Sequence, residues 1–204
     1  MALLSEHYGM MGSVEAHAPA EGEPAAGRVR LVVASAAGIF LLLLALNVAA
    51  SFVGGDGVAG RVARLFIFGE RAGFPRFFSF VLIVSIAALL ARRAAGDRHA
   101  WLWLGLAAVF LLLGYDDAGR VLGDGLALGL TFAAAVVLAS TLVQALPRAA
   151  GRAAILGAAL FVCGRLIGSG ETLPAATLVA SMHMVGLILL GAGLLKLRPL
   201  TTRT

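Results

Sequence analysis

Residues 100–120 read AWLWLGLAAVFLLLGYDDAGR, and this segment decides the fold class. Its first part, from Ala100 to Leu113, carries no charge, and about 20 apolar residues in a helix are enough to cross a bilayer. Two adjacent carboxylates, Asp116 and Asp117, follow, and then Arg120. Because a charge inside a membrane costs at least about 2.5–3.5 kcal/mol on insertion scales, we expect these groups to pair or to carry a function.

The whole chain has the composition of a membrane protein. Its 204 residues are 60% hydrophobic and 13% charged, whereas soluble domains carry about 25% charged residues. The 16 Lys and Arg residues lie singly or in pairs at the ends of apolar segments. This distribution orients helices and builds no phosphate-binding stripe, so we expect no nucleic-acid partner. The single cysteine, Cys163, excludes an intrachain disulfide and a multi-cysteine metal site, and we expect no metal.

Runs of apolar residues predict an all-α, polytopic membrane protein with about six transmembrane helices in one bundle. Residues 1–27, rich in Ala, Gly, Glu and Pro, are expected to form a flexible cytoplasmic tail. The six-helix domain is expected to cover residues 28–199, with residues 200–204 as a second tail. Within it, residues 54–73 alternate Arg with apolar side chains, which is typical of an amphipathic connector in the membrane interface. The predicted spans are residues 31–52, 75–91, 100–119, 126–146, 153–168 and 174–195.

The basic residues predict the orientation of the bundle. Six spans place both termini on one side, and most basic residues fall on that side. The positive-inside rule therefore predicts cytoplasmic termini for a multi-pass protein of the bacterial inner membrane. The residues concerned are Arg28, Arg30, Arg92, Arg93, Arg98, Arg148, Arg152, Lys196, Arg198 and Arg203.

Polar groups within the spans gather near the outer surface. At 1.5 Å per residue, four of them fall within about two turns of that surface, namely Asn47, Asp116, Asp117 and Arg165. Asp116 and Arg120 are four residues apart and share a helix face, and Arg165 reaches a similar depth in the fifth span. We predict a network of ion pairs that joins the third span to the fifth. The alternative is a site for a polar group, in which Asp116 or Asp117 titrates.

His183 lies near the midplane of the last span, between Met182 and Met184. These two methionines diverge by about 200° around a helix, so they cannot join His183 on one metal ion. We interpret His183 as a packed, neutral histidine. The alternatives are a proton relay with the acid pair, or axial ligation of a haem or chlorophyll-type pigment. A pigment of this kind and bound lipid are the cofactors that the sequence suggests.

Two partial motifs would suit an intramembrane enzyme. Gly168-Ser169-Gly170 precedes a histidine, as in intramembrane serine proteases, but Ser169 is expected at the surface whereas His183 is expected near the midplane. Cys163 with Arg165 and His183 is similar to exosortase-type transpeptidases, yet Cys163 and Arg165 diverge by about 200° on one helix. An enzyme is therefore the least favoured function. Small residues four apart predict close helix packing, within the chain or against a partner, at Gly125 with Gly129 and at Gly164 with Gly168.

Several features between Phe74 and Leu195 occur in a fixed order: Phe74-Pro75 with Ser79, Arg92-Arg93, the acid pair Asp116-Asp117, and Met184-Val185-Gly186. In this order the chain resembles an uncharacterised family of bacterial multi-pass inner-membrane proteins. In that family Ser-Leu-Asp-Glu ends one span, His-Glu follows, and a Glu with Met-x-Gly lies in the last span. This chain has Asp117 for the first Glu, Leu122-Gly123 for His-Glu, and His183 for the last Glu. The resemblance therefore implies a scaffold or accessory role.

We expect a non-catalytic integral membrane protein, an accessory or structural subunit that packs against a larger membrane complex and contacts lipid or pigment. Its partners would be the bilayer and other membrane-protein subunits. The alternative is a small transporter or proton-conducting protein that uses the outer cluster with His183.

Overall fold

The computed structural model describes residues 23–53, 55, 57–68, 73–95, 97–119, 122–167 and 172–197. These residues form α-helices and no strand. Six of the helices are long and apolar enough to cross a membrane, and α2 is not. The prediction of an all-α bundle with six membrane-spanning helices is confirmed. The helices are α1 (Glu23–Ser51), α2 (Val58–Arg64), α3 (Phe74–Ala94), α4 (Ala100–Gly119), α5 (Asp124–Ala145), α6 (Arg148–Leu166) and α7 (Leu173–Lys196).

Prolines mark the beginnings of three helices. Pro75 and Pro174 lie in the first turns of α3 and α7. Backbone N–H groups in the first turn have no acceptor within the helix, so proline loses no hydrogen bond there. Pro147 precedes α6 as its N-cap, so α5 cannot continue through it. α6 begins at Arg148, earlier than predicted, because hydropathy excludes Arg148 and Arg152 from the span although a helix can extend beyond the apolar region.

Helices α3 to α7 form a ring. α4 packs on α3, α3 on α7, α7 on α6, α6 on α5, and α5 returns to α4, while α1 lies outside the ring against α7. The rings of Phe110 and Phe161 stack across the centre with centroids 5.9 Å apart. This apolar centre lets each helix bury one side and expose the other. Its other fully buried side chains include Ile83, Leu90, Leu138, Leu142, Leu187 and Leu190.

Glycines bring α6 and α7 into backbone contact. A Cβ atom on Gly186 would lie 2.6 Å from the nitrogen of Phe161, and one on Gly157 would lie 3.0 Å from the oxygen of Gly186. A Cβ atom on Gly164 would lie 2.9 Å from the nitrogen of His183. Gly164 thus packs closely, as its sequence spacing predicts, and it fixes the height of α7 beside α6.

The sequence also predicts close helix packing at Gly125 and Gly129 of α5, and the structure differs from this prediction. A Cβ atom on either would meet no atom within 4 Å, so among the described residues neither packs against another helix. Gly168 lies outside the described residues.

A buried asparagine attaches α1 and the connector to the ring. The side-chain oxygen of Asn47 accepts a hydrogen bond from the backbone N–H of Phe68, at 2.8 Å, and its Nδ2 donates to Oγ1 of Thr177, at 3.1 Å. Phe68 is 1% exposed and packs against Phe40 and Met184. The connector therefore turns back into the bundle after α2.

At the opposite end, Asp97 closes the turn between α3 and α4. Its carboxylate accepts from the backbone N–H of His99, at 2.9 Å, and from Nε1 of Trp103, at 2.8 Å. The first of these bonds is the main reason that the pKa of Asp97 lies below its ordinary value of 3.8. The guanidinium of Arg93 lies 5.9 Å from the centre of the Trp103 ring. These contacts place the N-terminal end of α4 against α3.

The backbone contact between α6 and α7 predicts a large difference between two glycine substitutions. Gly186→Ala inserts a methyl group against the backbone of Phe161 and should destabilise the fold by about 1–3 kcal/mol or more. Gly129→Ala adds the same group in open space and should be neutral or slightly stabilising, by up to about 1 kcal/mol. Thermal unfolding in detergent measures both. Equal transition temperatures for the two variants would contradict the close packing.

Candidate functional site

A cavity of about 620 Å³ opens at the end of the ring where α4 and α6 end and α3, α5 and α7 begin. Pockets that hold small ligands measure about 300–1,000 Å³. All five ring helices contribute to the wall, together with Phe68 of the connector. The wall contains the polar residues Arg76, Ser79, Asp116, Asp117, Asp124, Arg165 and His183.

Arg165 lies at the centre of the polar network. Its Nη1 lies 3.2 Å from Oδ2 of Asp116, and its Nη2 lies 3.7 Å from Oδ1 of Asp117. Nη2 also donates to the carbonyl oxygen of Leu113, at 3.3 Å. The backbone N–H of Leu122 donates to the other oxygen of Asp116, at 2.8 Å. The network thereby joins α6, the end of α4 and the turn that leads to α5.

Arg76 of α3 brings a second cation to the same place. Its Nε donates to the main-chain oxygen of Asp117. Sequence reasoning missed this residue because Arg76 follows Pro75 at the beginning of a span and has the position of an ordinary flanking cation. Its depth was the available signal, since it lies at the same end of the bundle as the acid pair. Ser79, one turn further along α3, and Asp124, in the first turn of α5, also line the cavity and were not among the predicted site residues.

The structure brings together most of the residues that the sequence singled out. Asp116, Asp117, Arg165 and His183 all line the cavity. Arg120 lies outside the described residues. The expected membership of Asn47 in this cluster needs correction: Asn47 binds Phe68 and Thr177. The reason is that α1 lies outside the ring, so equal depth in the membrane does not give equal neighbours.

His183 is 8% exposed, and its ring lies 4.8 Å from that of Phe161. The Nε2 atom of His183 is enclosed by the protein and has no hydrogen-bond partner among the described residues, and the same holds for Nε of Arg165. Because Nε2 is enclosed, the geometry offers a haem or pigment no open coordination position there. Across the described residues, His, Cys, Asp and Glu side chains form no group of three that could hold a metal ion.

The cavity has an apolar floor. By their positions along the helices, four apolar residues lie deeper in the bundle than the lining residues, and each is at most 1% exposed: Phe110, Leu138, Phe161 and Leu187. The buried hydroxyl of Thr131 donates to the carbonyl oxygen of Ala127 in its own helix, at 2.7 Å. In the described part of the chain, the buried polar side chains thus do not continue to the opposite end of the bundle. The arrangement can hold a polar group from one side.

The two carboxylates should differ in their effect on stability. Asp116→Asn keeps the acceptor for Leu122 but leaves Arg165 buried without its closest charge partner, and breaking such a pair costs about 3–5 kcal/mol. The side chain of Asp117 is 24% exposed and its nearest contact to Arg165 is longer, so Asp117→Asn should cost no more than about 1 kcal/mol.

Unfolding of the purified protein by denaturant in detergent measures this difference. Adding Arg165→Gln to Asp116→Asn should restore part of the loss, because the guanidinium that lost its closest charge partner is then removed as well. Equal losses for the two single variants would contradict the central position of Asp116.

Comparison with known proteins identifies no relative of this chain. No family model, curated protein or solved structure matches the chain. The resemblance of residues 74–195 to a multi-pass family therefore stays a prediction, and the function has to be inferred from the site.

Proposed function

We propose that this protein is a non-catalytic integral membrane protein whose cavity binds a polar group that enters from one side of the membrane. One observation carries the proposal: a cavity of about 620 Å³ with charged walls lies above a floor of fully buried apolar side chains. Polar side chains are costly inside a membrane bundle. A bundle that needed only packing would fill this space with apolar residues.

The distribution of basic residues favours an outer position for the cavity. Cytoplasmic ends of membrane helices carry an excess of Lys and Arg. The opposite end of this bundle has such an excess, and we assign that end and the termini to the cytoplasm of a bacterial cell. The described residues there are Arg28, Arg30, Arg92, Arg93, Arg98, Arg148, Arg152 and Lys196.

Binding accounts for the geometry better than transport or catalysis does. Conduction needs polar groups or water along the whole path, and the floor of the cavity is apolar. Catalysis by an activated nucleophile needs the nucleophile and a base within hydrogen-bond reach of each other. Nε2 of His183, the candidate base, has no hydrogen-bond partner among the described residues.

A second candidate is the accessory subunit of a larger membrane complex. Gly125 and Gly129, and then Ala133, follow one another every four residues along the exposed side of α5, and a Cβ atom on either glycine would lie in open space. A flat surface of small residues lets another helix approach closely. Gly125 also lines the cavity, whereas Gly129 and Ala133 lie outside its lining, so a partner on this surface and a ligand in the cavity are compatible.

The proposed function predicts which introduced cysteines meet water from the outside. Cys163 is the single cysteine, so Cys163→Ser gives a background without thiols. In it, Ala176→Cys places a thiol in the cavity wall and Gly129→Cys places one on the exposed side of α5. A membrane-impermeant cationic methanethiosulfonate should react with Ala176→Cys at least about tenfold faster, because the reaction needs a hydrated thiolate.

The control is Ala95→Cys at the basic end, which should react only after the cells are permeabilised. Reaction of Ala176→Cys only after permeabilisation would contradict the orientation. An Ala176→Cys variant that stays unreactive in both conditions would contradict the proposed function.

The accessory-subunit candidate predicts a different effect. Gly129→Leu fills the flat surface of α5 and should remove a stoichiometric partner that co-purifies with the wild type in mild detergent. Gly105→Leu on α4, which also extends into open space, is the matched control and should retain the partner. A wild-type chain that purifies alone in mild detergent would contradict this candidate.

A further inference from the structure

We infer that Asn47 is a positioning residue of the cavity: it holds Phe68 as a partition between the cavity and α1, and its loss opens the cavity sideways toward α1. This inference rests on the proposed function, since it concerns the same cavity. It is carried by the hydrogen bonds of Asn47, by the burial of Phe68 and by the choice of helices that line the cavity.

Phe68 lies between the cavity and α1. On one side it lines the cavity together with Met184 of α7, and on the other it packs against Phe40 of α1. Within the described part of the chain, no residue of α1 belongs to the lining, although α1 packs against α7. Displacement of Phe68 would therefore connect the cavity with the space beside α1.

The segment that carries Phe68 has no regular backbone hydrogen bonding to hold it. α2 ends at Arg64, and the backbone N–H of Phe68 donates to the side-chain oxygen of Asn47, at 2.8 Å. Because Phe68 is 1% exposed, removal of this oxygen would leave a buried N–H without its acceptor. Such a group is costly, and Phe68 would escape the cost by moving toward water.

The second hydrogen bond of Asn47 fixes its height against the cavity wall. Its Nδ2 donates to Oγ1 of Thr177, at 3.1 Å, and the preceding residue of α7, Ala176, lines the cavity. Asn47 itself is 3% exposed, so both ends of its amide need partners. The amide thus ties Phe68 to α7 at the level of the lining residues.

The test compares two thiols introduced singly into α7 in the Cys163→Ser background. Ala176→Cys lies near the mouth, and Ala180→Cys lies one turn deeper, where Ala180 lines the cavity and packs against the cluster that contains Phe68. The cationic methanethiosulfonate is the reagent, and the purified protein is in liposomes. Asn47→Leu has a side chain of similar size without an acceptor. It should raise the rate at Ala180→Cys relative to Ala176→Cys at least about fivefold.

Two further variants separate this role from a general loosening of α1. Thr177→Val removes the partner of Nδ2 but leaves the bond to Phe68, so the ratio of the two rates should stay within about twofold of its wild-type value. Phe68→Ala removes the partition itself and should raise the ratio with Asn47 in place. Adding Asn47→Leu to Phe68→Ala should have no further effect, because both changes act on the same side chain.

Amide hydrogen exchange tests the inference independently of water in the cavity. The N–H of Phe68 should exchange at least about fivefold faster in Asn47→Leu than in the wild type, because it has lost its acceptor. Thr177→Val should leave the exchange of this N–H unchanged.

An unchanged rate ratio in Phe68→Ala would overturn the inference, even if Asn47→Leu did not fold. An unchanged ratio in folded Asn47→Leu, or a rise of equal size in Thr177→Val, would overturn the role of Asn47. If Ala176→Cys did not react in any background, the proposed function would fail, and hydrogen exchange at Phe68 would then decide the role of Asn47 alone.

Discussion

A guanidinium inside a membrane helix has to be paired, and the pairing of Arg165 with the acids of α4 organises one end of this bundle. Arg165 belongs to α6, and its partners are Asp116, Asp117 and the carbonyl oxygen of Leu113. α4 and α6 are not neighbours in the ring, so the ion pair acts across it. Below, the stack of Phe110 on Phe161 joins the same two helices. The long Arg165 side chain bridges the space between them and forms part of the cavity wall.

The glycine contacts of α6 and α7 set the position of this ion pair. Gly164 packs against the backbone of His183, and Gly157 packs against Gly186. Since Arg165 follows Gly164 directly, the height at which α6 meets α7 also fixes the height of the guanidinium. The same contact places the imidazole of His183 against Phe161. The charged wall and the apolar floor therefore both depend on the backbone contact between α6 and α7. Larger residues cannot replace the glycines of this contact without moving the two helices apart.

The sequence predicted the spans well because length and hydropathy are sufficient to identify a membrane helix. It also predicted that Asp116, Asp117 and Arg165 share a depth, because rise per residue converts sequence position into height. It could not predict neighbours, and Asn47 shows why: it has the expected height but belongs to a helix outside the ring. Arg76 is the converse case, a cation with the position of a flanking residue that the ring turns toward α4.

The central claim is that Arg165 pairs directly with Asp116 in the membrane. Solid-state NMR in bilayers can measure the dephasing between ¹⁵N-labelled arginine side chains and ¹³Cγ of aspartate, with Arg165→Lys identifying the signal. The structure, with Nη1 3.2 Å from Oδ2, predicts strong dephasing that disappears in the variant. A spectrum that is the same in wild type and Arg165→Lys would contradict the account.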